Sequence, residues 1–358
     1  MRIAVFPGDG SGPEITHATL EVLQLVNQRL SLGIELETYE IGLSSLRLRG
    51  TTLPLEALEA ARASDGILLG PVSHSDYPSR SEGGINVSAE FRVALDLYAN
   101  IRPSRSRQGV PFWGRTPMDL TIVRENTEGF YSDRNMHESS GEFMPSPDMA
   151  LSLRKITAQA SRRIGLVAFE LARGRRMKVT AVHKANVLKV SDGLFLRAIR
   201  QLASEYSEVT YDEQLIDSMT ALLVRDAARF DVVVTTNMFG DILSDEAVEL
   251  SGSLGLGAAL NHGDRYAMAQ AAHGSAPDLA GRDIANPTSL ILSTAMLLEW
   301  MAKRHARDGL LLASNVIVYA VDKVLGNPKT RTQDLGGSLG TKAFVTSLCE
   351  EINAADFG

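Results

Sequence analysis

The sequence predicts an α/β fold, because short apolar runs of strand length alternate with longer segments of helical period, and several runs end on glycine, proline or polar residues. Ile3 to Phe6 is the first such run. It enters a glycine loop, Gly8-Asp-Gly-Ser-Gly-Pro-Glu14, and Pro13 then sits in the first turn of a helix expected to run toward Leu30. Gly66 to Leu69 is a second buried run, closed by Gly70 and Pro71. Leu120 to Arg124, Met177 to Val182 and Asp231 to Thr235 read as further strands, each handing over to polar residues at its C-terminal end. Open α/β sheets bind ligands beyond the carboxyl ends of their strands, so a site is expected in those polar stretches.

Between Ser132 and Asp148 the composition turns to Ser, Glu, Met, Pro and Gly, which reads as a mobile surface loop or as an extended arm that clasps a second subunit. Gly252, Gly255 and Gly257 suggest a hinge or crossover with a domain boundary nearby. The 358 residues fit roughly two domains. Hydrophobic content of 44% and charged content of 22% are ordinary for a globular chain with enough apolar material for its cores. A formal net charge of -7 argues against a nucleic-acid partner, which needs a basic face, but local arginines can still bind a small anion. The single cysteine, Cys349, rules out an intrachain disulfide framework, fits a reducing cytoplasm and reads as a packed thiol. Gly8 interrupts the first apolar run before it reaches signal-peptide length. The Leu310 to Val321 run, broken by Ser314 and Asn315, is expected to be too short to span a bilayer. A soluble cytoplasmic protein with no membrane partner is the expectation.

Chemistry concentrates after the strands. Asn237 to Asp245 follows Val232–Val234, and Asp241 and Asp245 are four apart, so a helix beginning there carries both on one face. Two carboxylates that close repel each other, and a bound Mg²⁺ or Mn²⁺ removes the cost. The alternative is a helix N-terminus enriched in acids to suit its dipole. Asp217 is a third candidate, in an otherwise helical apolar stretch. Arg92, Arg102 and Arg124 follow strand or helix ends. Guanidinium forks bind carboxylates through charge-assisted bonds of on the order of 1.5–3 kcal/mol each. Arg92 and Arg102, ten apart, are expected on one helix and its end. Tyr131 and Lys184 can exchange protons: a lysine beside arginines and a metal has its charged form disfavoured, and a tyrosine hydroxyl in the same field can give or take a proton.

The glycine loop can receive a phosphate at its backbone N–H groups, but it is not a dinucleotide fingerprint, because Pro13 takes the place of the third glycine. The Gly/Pro-rich segment from His273 to Pro287 is too long and polar for a plain connection.

Taken together, the glycine loop, Leu95–Pro103, Val123–Ser132, His183–Leu188, Asn237–Asp245 and His273–Pro287 resemble, in order and over nearly the whole chain, the isocitrate/isopropylmalate dehydrogenase family of β-decarboxylating dehydrogenases. The resemblance implies a non-Rossmann, two-domain α/β fold with central mixed sheets flanked by helices. The larger domain would comprise residues 1–98 and 251–358. The smaller, 99–250, would carry the dimer contacts and the arm at about 132–148. It implies a homodimer with shared active sites, using NAD and Mg²⁺ or Mn²⁺ to oxidise and decarboxylate a malate-type 2-hydroxy acid. Arg92, Arg102 and Arg124 would hold substrate carboxylates. Asp241 and Asp245 would bind the metal with the partner's Asp217, and Tyr131 with the partner's Lys184 would be the proton-transfer pair. The lysine, directly or through water or Asp217, would take the hydroxyl proton during oxidation, and Tyr131 would protonate the enolate left by CO₂. Gly12, Asn186, His273, Gly274, Ser275, Ala276, Asp278, Ile284 and Asn286 would line the cofactor site. Asp278, followed by Leu279 where NADP-dependent relatives have Lys then Tyr, implies NAD.

The chain departs from the isopropylmalate pattern in the turn before Arg92. Asn86 and Ser88 stand where leucines would pack a branched alkyl group, so a small or polar 3-substituent is expected. Val93 replaces the basic residue usual after that arginine, and Gln270-Ala271 stands where the family as a whole often has Glu-Pro before the His273 loop, a loss of a carboxylate that bears on the cofactor pocket. The competing expectations are a true 3-isopropylmalate dehydrogenase of leucine biosynthesis and a regulatory subunit without turnover. The intact lysine, tyrosine and aspartate set weighs against the second.

Overall fold

The structure is a computed structural model that describes residues 1–131, 136 and 140–355. The first half of the chain, in order, forms β1 (Arg2–Phe6), α1 (Gly12–Arg29), β2 (Glu35–Thr38), α2 (Gly42–Arg49), α3 (Leu55–Ala63), β3 (Gly66–Leu69), α4 (Val87–Ala94), β4 (Ala99–Arg105), β5 (Asp119–Glu125), β6 (Glu142–Ser146), β7 (Met149–Ser152) and α5 (Ala158–Arg173). It continues through β8 (Lys178–His183), α6 (Ser191–Glu205), β9 (Thr210–Leu215), α7 (Ile216–Asp226), β10 (Val232–Thr235), α8 (Asn237–Ser251), β11 (Ala258–His262), β12 (Ala267–Ala271), α9 (Thr288–His305), α10 (Asp308–Gly326) and α11 (Thr341–Ala354).

Ten strands join one sheet in the order β2-β1-β3-β12-β11-β4-β5-β10-β8-β9. Its outer parts are parallel and its middle antiparallel: β11 runs against both β12 and β4, and β4 against β5. The apolar runs of β3 and β10 are buried at every position, as expected of parallel strands covered on both faces. The expected plural sheets are therefore one continuous sheet. Residues 1–98 and 251–355 supply its first five strands, and 99–250 supply the other five. The seam between the two sets is the β11–β4 ladder, where Leu260 faces Ile101.

Two details differ from expectation. Met177 precedes its strand in a left-handed conformation (φ 57°), so β8 starts at Lys178. The Leu310–Val321 run does not end at Ser314 and Asn315 but lies inside the 19-residue α10, long and apolar enough to cross a membrane by length and composition. Half of that window is buried inside the protein. Leu310, Ala313, Val316, Ile317, Ala320 and Val321 join the main core, so burial explains the apolarity of this helix.

The arm segment falls partly outside the described residues. The described part, β6 and β7, is a separate two-stranded antiparallel sheet whose Phe143, Met144, Met149 and Leu151 are exposed.

Candidate active site

The strand ends bring the charged residues together. Arg124, near the end of β5, is 2% exposed. Its Nε and Nη2 donate to Asn237 Oδ1 at 3.0 and 2.7 Å, Nη2 donates to the Tyr131 hydroxyl at 2.9 Å, and Nη1 pairs with Asp241. Tyr131 in turn donates to Asp241 Oδ2 at 2.9 Å. This closeness depends on Gly240: a Cβ there would lie 2.6 Å from Arg124 Cγ and 2.7 Å from its Cβ. Arg102, buried on β4, donates through Nη1 to Ser244 Oγ at 2.7 Å and Asp245 Oδ1 at 3.0 Å, and lies 3.4 Å from Asp241 Oδ1. One nitrogen therefore touches both aspartates, which stand one turn apart on α8.

The two carboxyls differ electrostatically. Burial opposes ionisation of Asp241, but Arg124 and Arg102 outweigh it and hold the carboxyl below its ordinary range. Burial wins at Asp245, which is raised, with the neighbouring Asp241 charge adding to the effect. Burial also raises Tyr131, so its hydroxyl keeps its proton at neutral pH.

Above this cluster opens a cavity of about 500 Å³, lined by Arg92, Arg102, Arg124, Tyr131 and Asp241, with α4 and β12 forming a wall. Arg92 and Arg102 reach it from different elements rather than from one helix. α4 stops at Ala94, Leu97 N–H turns back to Arg92 O at 2.8 Å, Asp96 adopts φ 47°, and Arg102 then lies on β4. Asn86 and Ser88 line the same wall, but each is engaged. Asn86 caps α4 by accepting from Ala89 N–H at 3.1 Å, and Ser88 Oγ donates to Gln270 Oε1 at 3.0 Å.

Lys184, Asn186 and Asp217 line neither this cavity nor the neighbouring one described below. Lys184 Nζ donates to Asp217 Oδ1 at 2.6 Å, a bond that lowers the Asp217 carboxyl below its ordinary range. Among the described residues of one chain, no group of three His, Cys, Asp or Glu side chains is placed to hold a metal. Asp241, on the cavity lining, and Asp245, one helical turn further on and outside that lining, nevertheless offer two carboxylates of the oxygen type that suits a hard divalent ion.

A second cavity of about 340 Å³ adjoins the first, sharing His273 and Gly274 and lined further by Ser11, Gly255, Ala276, Leu279, Ile284, Asn286 and Asp334. His273 Nδ1 donates to Gly274 O at 2.9 Å. Nε2 is buried with no partner among the described residues, and burial lowers the ring's affinity for a proton. A neutral histidine with an unmet acceptor between two cavities fits a ligand that spans them and carries a donor, as a nicotinamide dinucleotide does.

The glycine loop is used differently from expectation. Asp9, Ser11 and Gly12 N–H groups bond Pro71 O, Ser275 O and Asp9 O, each at 2.8 Å, so these amides are spent on internal contacts. Gly12 and Ser275 consequently line neither cavity: Ser275 is tied to the loop and, through its hydroxyl, to Ser73 at 2.7 Å. Asp278 is exposed and also lies outside both linings.

Sequence reasoning missed Asn237, Ser244 and Asp334 as site residues. The first two lie on the helical face that carries Asp241 and Asp245, and that period was the available signal. Asp334 accepts from Asn286 Nδ2 at 2.9 Å and Ser253 Oγ at 3.1 Å, and no spacing in the sequence announces it.

Comparison with known proteins gives the family. A family model described as isocitrate/isopropylmalate dehydrogenase matches residues 2–352. A 3-isopropylmalate dehydrogenase of Saccharolobus solfataricus is 39% identical, over 97% of this chain and 98% of that protein. An isocitrate/homoisocitrate dehydrogenase of Thermus thermophilus is 38% identical, over 99% of each chain. The crystal structure of isocitrate dehydrogenase from Methylococcus capsulatus superposes with a TM-score of 0.86 at 36% identity, covering 98% of this chain and 99% of that one. The chain belongs to the isocitrate/isopropylmalate dehydrogenase family and is an NAD-dependent decarboxylating dehydrogenase.

Proposed function

We propose that this enzyme oxidises and decarboxylates a malate-type 2-hydroxy acid with a small or polar 3-substituent, at a site shared between two copies of the chain. The observation that carries this reading is the cluster of Arg102, Arg124, Tyr131, Asp241 and Asp245 beside one cavity. Arg92, Arg102 and Arg124 bind the substrate carboxylates and fix its orientation. Asp241 and Asp245, with the partner's Asp217, would hold Mg²⁺ or Mn²⁺. When bound, the ion supplies electron withdrawal at the 2-oxygen and the nicotinamide supplies the hydride acceptor. The partner's Lys184 takes the hydroxyl proton, and its neighbour Asn186 faces the cofactor. Tyr131, protonated and held between Arg124 and Asp241, gives its proton to C3 once CO₂ has left.

The cofactor lies along His273, Gly274, Ala276, Ile284 and Asn286, with Gly12 and Ser275 supporting the adjoining loops and Asp278 set against the adenosine ribose. Dimerisation is supported by large apolar side chains left exposed near Lys184, Asp217 and Asp241 in sequence, namely Val187 and Val190 before α6, Val224 on α7 and Ile242 on α8. The bare β6–β7 hairpin points the same way, since a two-stranded sheet is marginal in water without a partner. Residues 1–98 with 251–358, and 99–250, form the two domains. The protein is cytoplasmic, with no nucleic-acid or membrane partner.

The test is turnover of D-malate, tartrate, isocitrate, homoisocitrate and 3-isopropylmalate with NAD and Mn²⁺, repeated after chelation. Lys184→Met should abolish NADH formation, whereas Tyr131→Phe should keep hydride transfer and slow the later steps. Wild-type turnover by either variant overturns its assigned role. The second reading, a 3-isopropylmalate dehydrogenase, is supported by the names of several relatives at 38–40% identity. A clear preference for 3-isopropylmalate in the same panel would establish it.

A further inference from the structure

Gln270 stands on β12, in register with Leu69 of β3 and Ala259 of β11, and its side chain lines the larger cavity. Its amide is oriented by two donors. Ser88 Oγ donates to Oε1 at 3.0 Å and Arg92 Nη2 donates to the same oxygen at 3.3 Å. A guanidinium can only donate, so the carbonyl end of the amide must face α4 and the NH₂ end must face away from it. Nε2 makes no hydrogen bond among the described residues, so its two N–H groups remain available toward the cavity. The serine hydroxyl has given its proton to Gln270 and is not a donor for a ligand.

The geometry points to Gln270 as the residue that selects the 3-substituent of the substrate, by donating from Nε2 to an oxygen on that substituent. This rests on the proposed function and narrows it: the favoured acids carry a hydroxyl or a carboxylate beyond C3, not a branched alkyl group. The amide side chain is what makes this possible. A glutamate here would present only acceptors and would repel a carboxylate, and a hydrocarbon would leave the substrate oxygen unpaired. Arg102, Arg124 and Asp241 line the cavity opposite a polar α4–β12 wall, in which Asn86, Ser88 and Gln270 are the neutral side chains and Arg92, bonded to Gln270, is the cation.

The experiment compares kcat/KM for D-malate, tartrate, isocitrate and 3-isopropylmalate in the wild type, Gln270→Met, Gln270→Glu and Ser88→Ala, with KM for NAD measured alongside. In Gln270→Met, the ratio of kcat/KM for tartrate or isocitrate to that for D-malate should fall roughly ten- to a hundred-fold. In Gln270→Glu, isocitrate should lose more than tartrate, because only the carboxylate is repelled. Ser88→Ala, which frees the amide to rotate, should shift the ratio in the same direction by a smaller factor and provides the readout if the Gln270 variants do not fold. Equal losses for all four acids, a change confined to KM for NAD, or a wild-type preference for 3-isopropylmalate over both oxygenated acids would overturn the assignment. If the wild type turns over none of the four, the proposed function itself has failed. If it turns over several and the ratios stay fixed in the variants, only the role of Gln270 has failed.

Discussion

Lys184 and Asp217 are joined at 2.6 Å, yet neither touches the cavity where Tyr131 and Asp241 meet. In the proposed shared site, the lysine that serves that cavity comes from another copy of the chain. Mixing two inactive variants tests this. Lys184→Met and Asp241→Asn homodimers should each be inactive. After subunit exchange, a mixed dimer holds one intact site and one doubly altered site, so about a quarter of wild-type activity should return on random pairing. Subunits that demonstrably exchange without regaining activity would show that the sites are not shared.

Gly240 controls where Arg124 lies. A methyl group at 240 would meet the Cα, Cβ and Cγ of Arg124 at 3.2, 2.7 and 2.6 Å, the stiff base of the side chain rather than its flexible end. Gly240→Ala should therefore push the guanidinium off Asn237 and Tyr131. The expected cost is about 1–3 kcal/mol of stability from overpacking, together with a rise in KM for the acid of roughly ten-fold or more from the misplaced fork. Denaturant unfolding and steady-state kinetics measure the two effects. A variant with normal KM would mean that Arg124 does not hold substrate.

How far the sequence reveals the site depends on whether a feature is local. The i, i+4 spacing of Asp241 and Asp245 is a local property, and α8 places both on Arg102. Asn237 and Ser244 share that face but carry no charge to draw attention. Arg92 and Arg102 do not share one helix and its end, and the sequence hides this because nothing between Leu95 and Tyr98 is a glycine or proline. The break is made by Asp96 in a left-handed conformation, which the residue type permits but does not announce. Strand existence was legible from apolar runs, whereas the β11–β4 ladder joins residues about 160 positions apart and only the folded chain reveals it. The loop amides of Asp9, Ser11 and Gly12 look free in sequence because their acceptors, Pro71 O and Ser275 O among them, are largely remote.

Glu128 gives the protein a pH dependence separate from catalysis. Its carboxylate accepts from Thr157 N–H at 2.8 Å and Thr157 Oγ1 at 2.9 Å at the start of α5. Burial pushes its pKa up from 4.5 to about 7, with Glu125 adding to the effect. The folded state holds this proton more tightly than the unfolded chain, so the contribution to stability is complete below about 4.5 and is lost as pH rises through about 7. The difference amounts to about 3 kcal/mol at most. Relative to Glu128→Gln, the wild type should lose stability between pH 5 and pH 8 by that order. Parallel slopes for the two proteins in denaturant melts would show that Glu128 does not titrate in this range.

Asp278 is exposed at the edge of the second cavity's sequence segment, and Leu279 lines that cavity. A 2′-phosphate brought near Asp278 would face a like charge without the shielding of a buried pair, a penalty of about 1 kcal/mol per charge pair at contact distance in water. Asp278→Lys with Leu279→Tyr replaces repulsion by attraction and adds a ring against the adenosine, so the NADP-to-NAD ratio of kcat/KM should rise by roughly ten-fold or more. The rise should shrink in 0.5 M salt, because an exposed charge is screened over about 4–5 Å there. An unchanged ratio in the double variant would place the ribose elsewhere and leave NAD selection to the walls of the cavity, Ile284 and Asn286 among them.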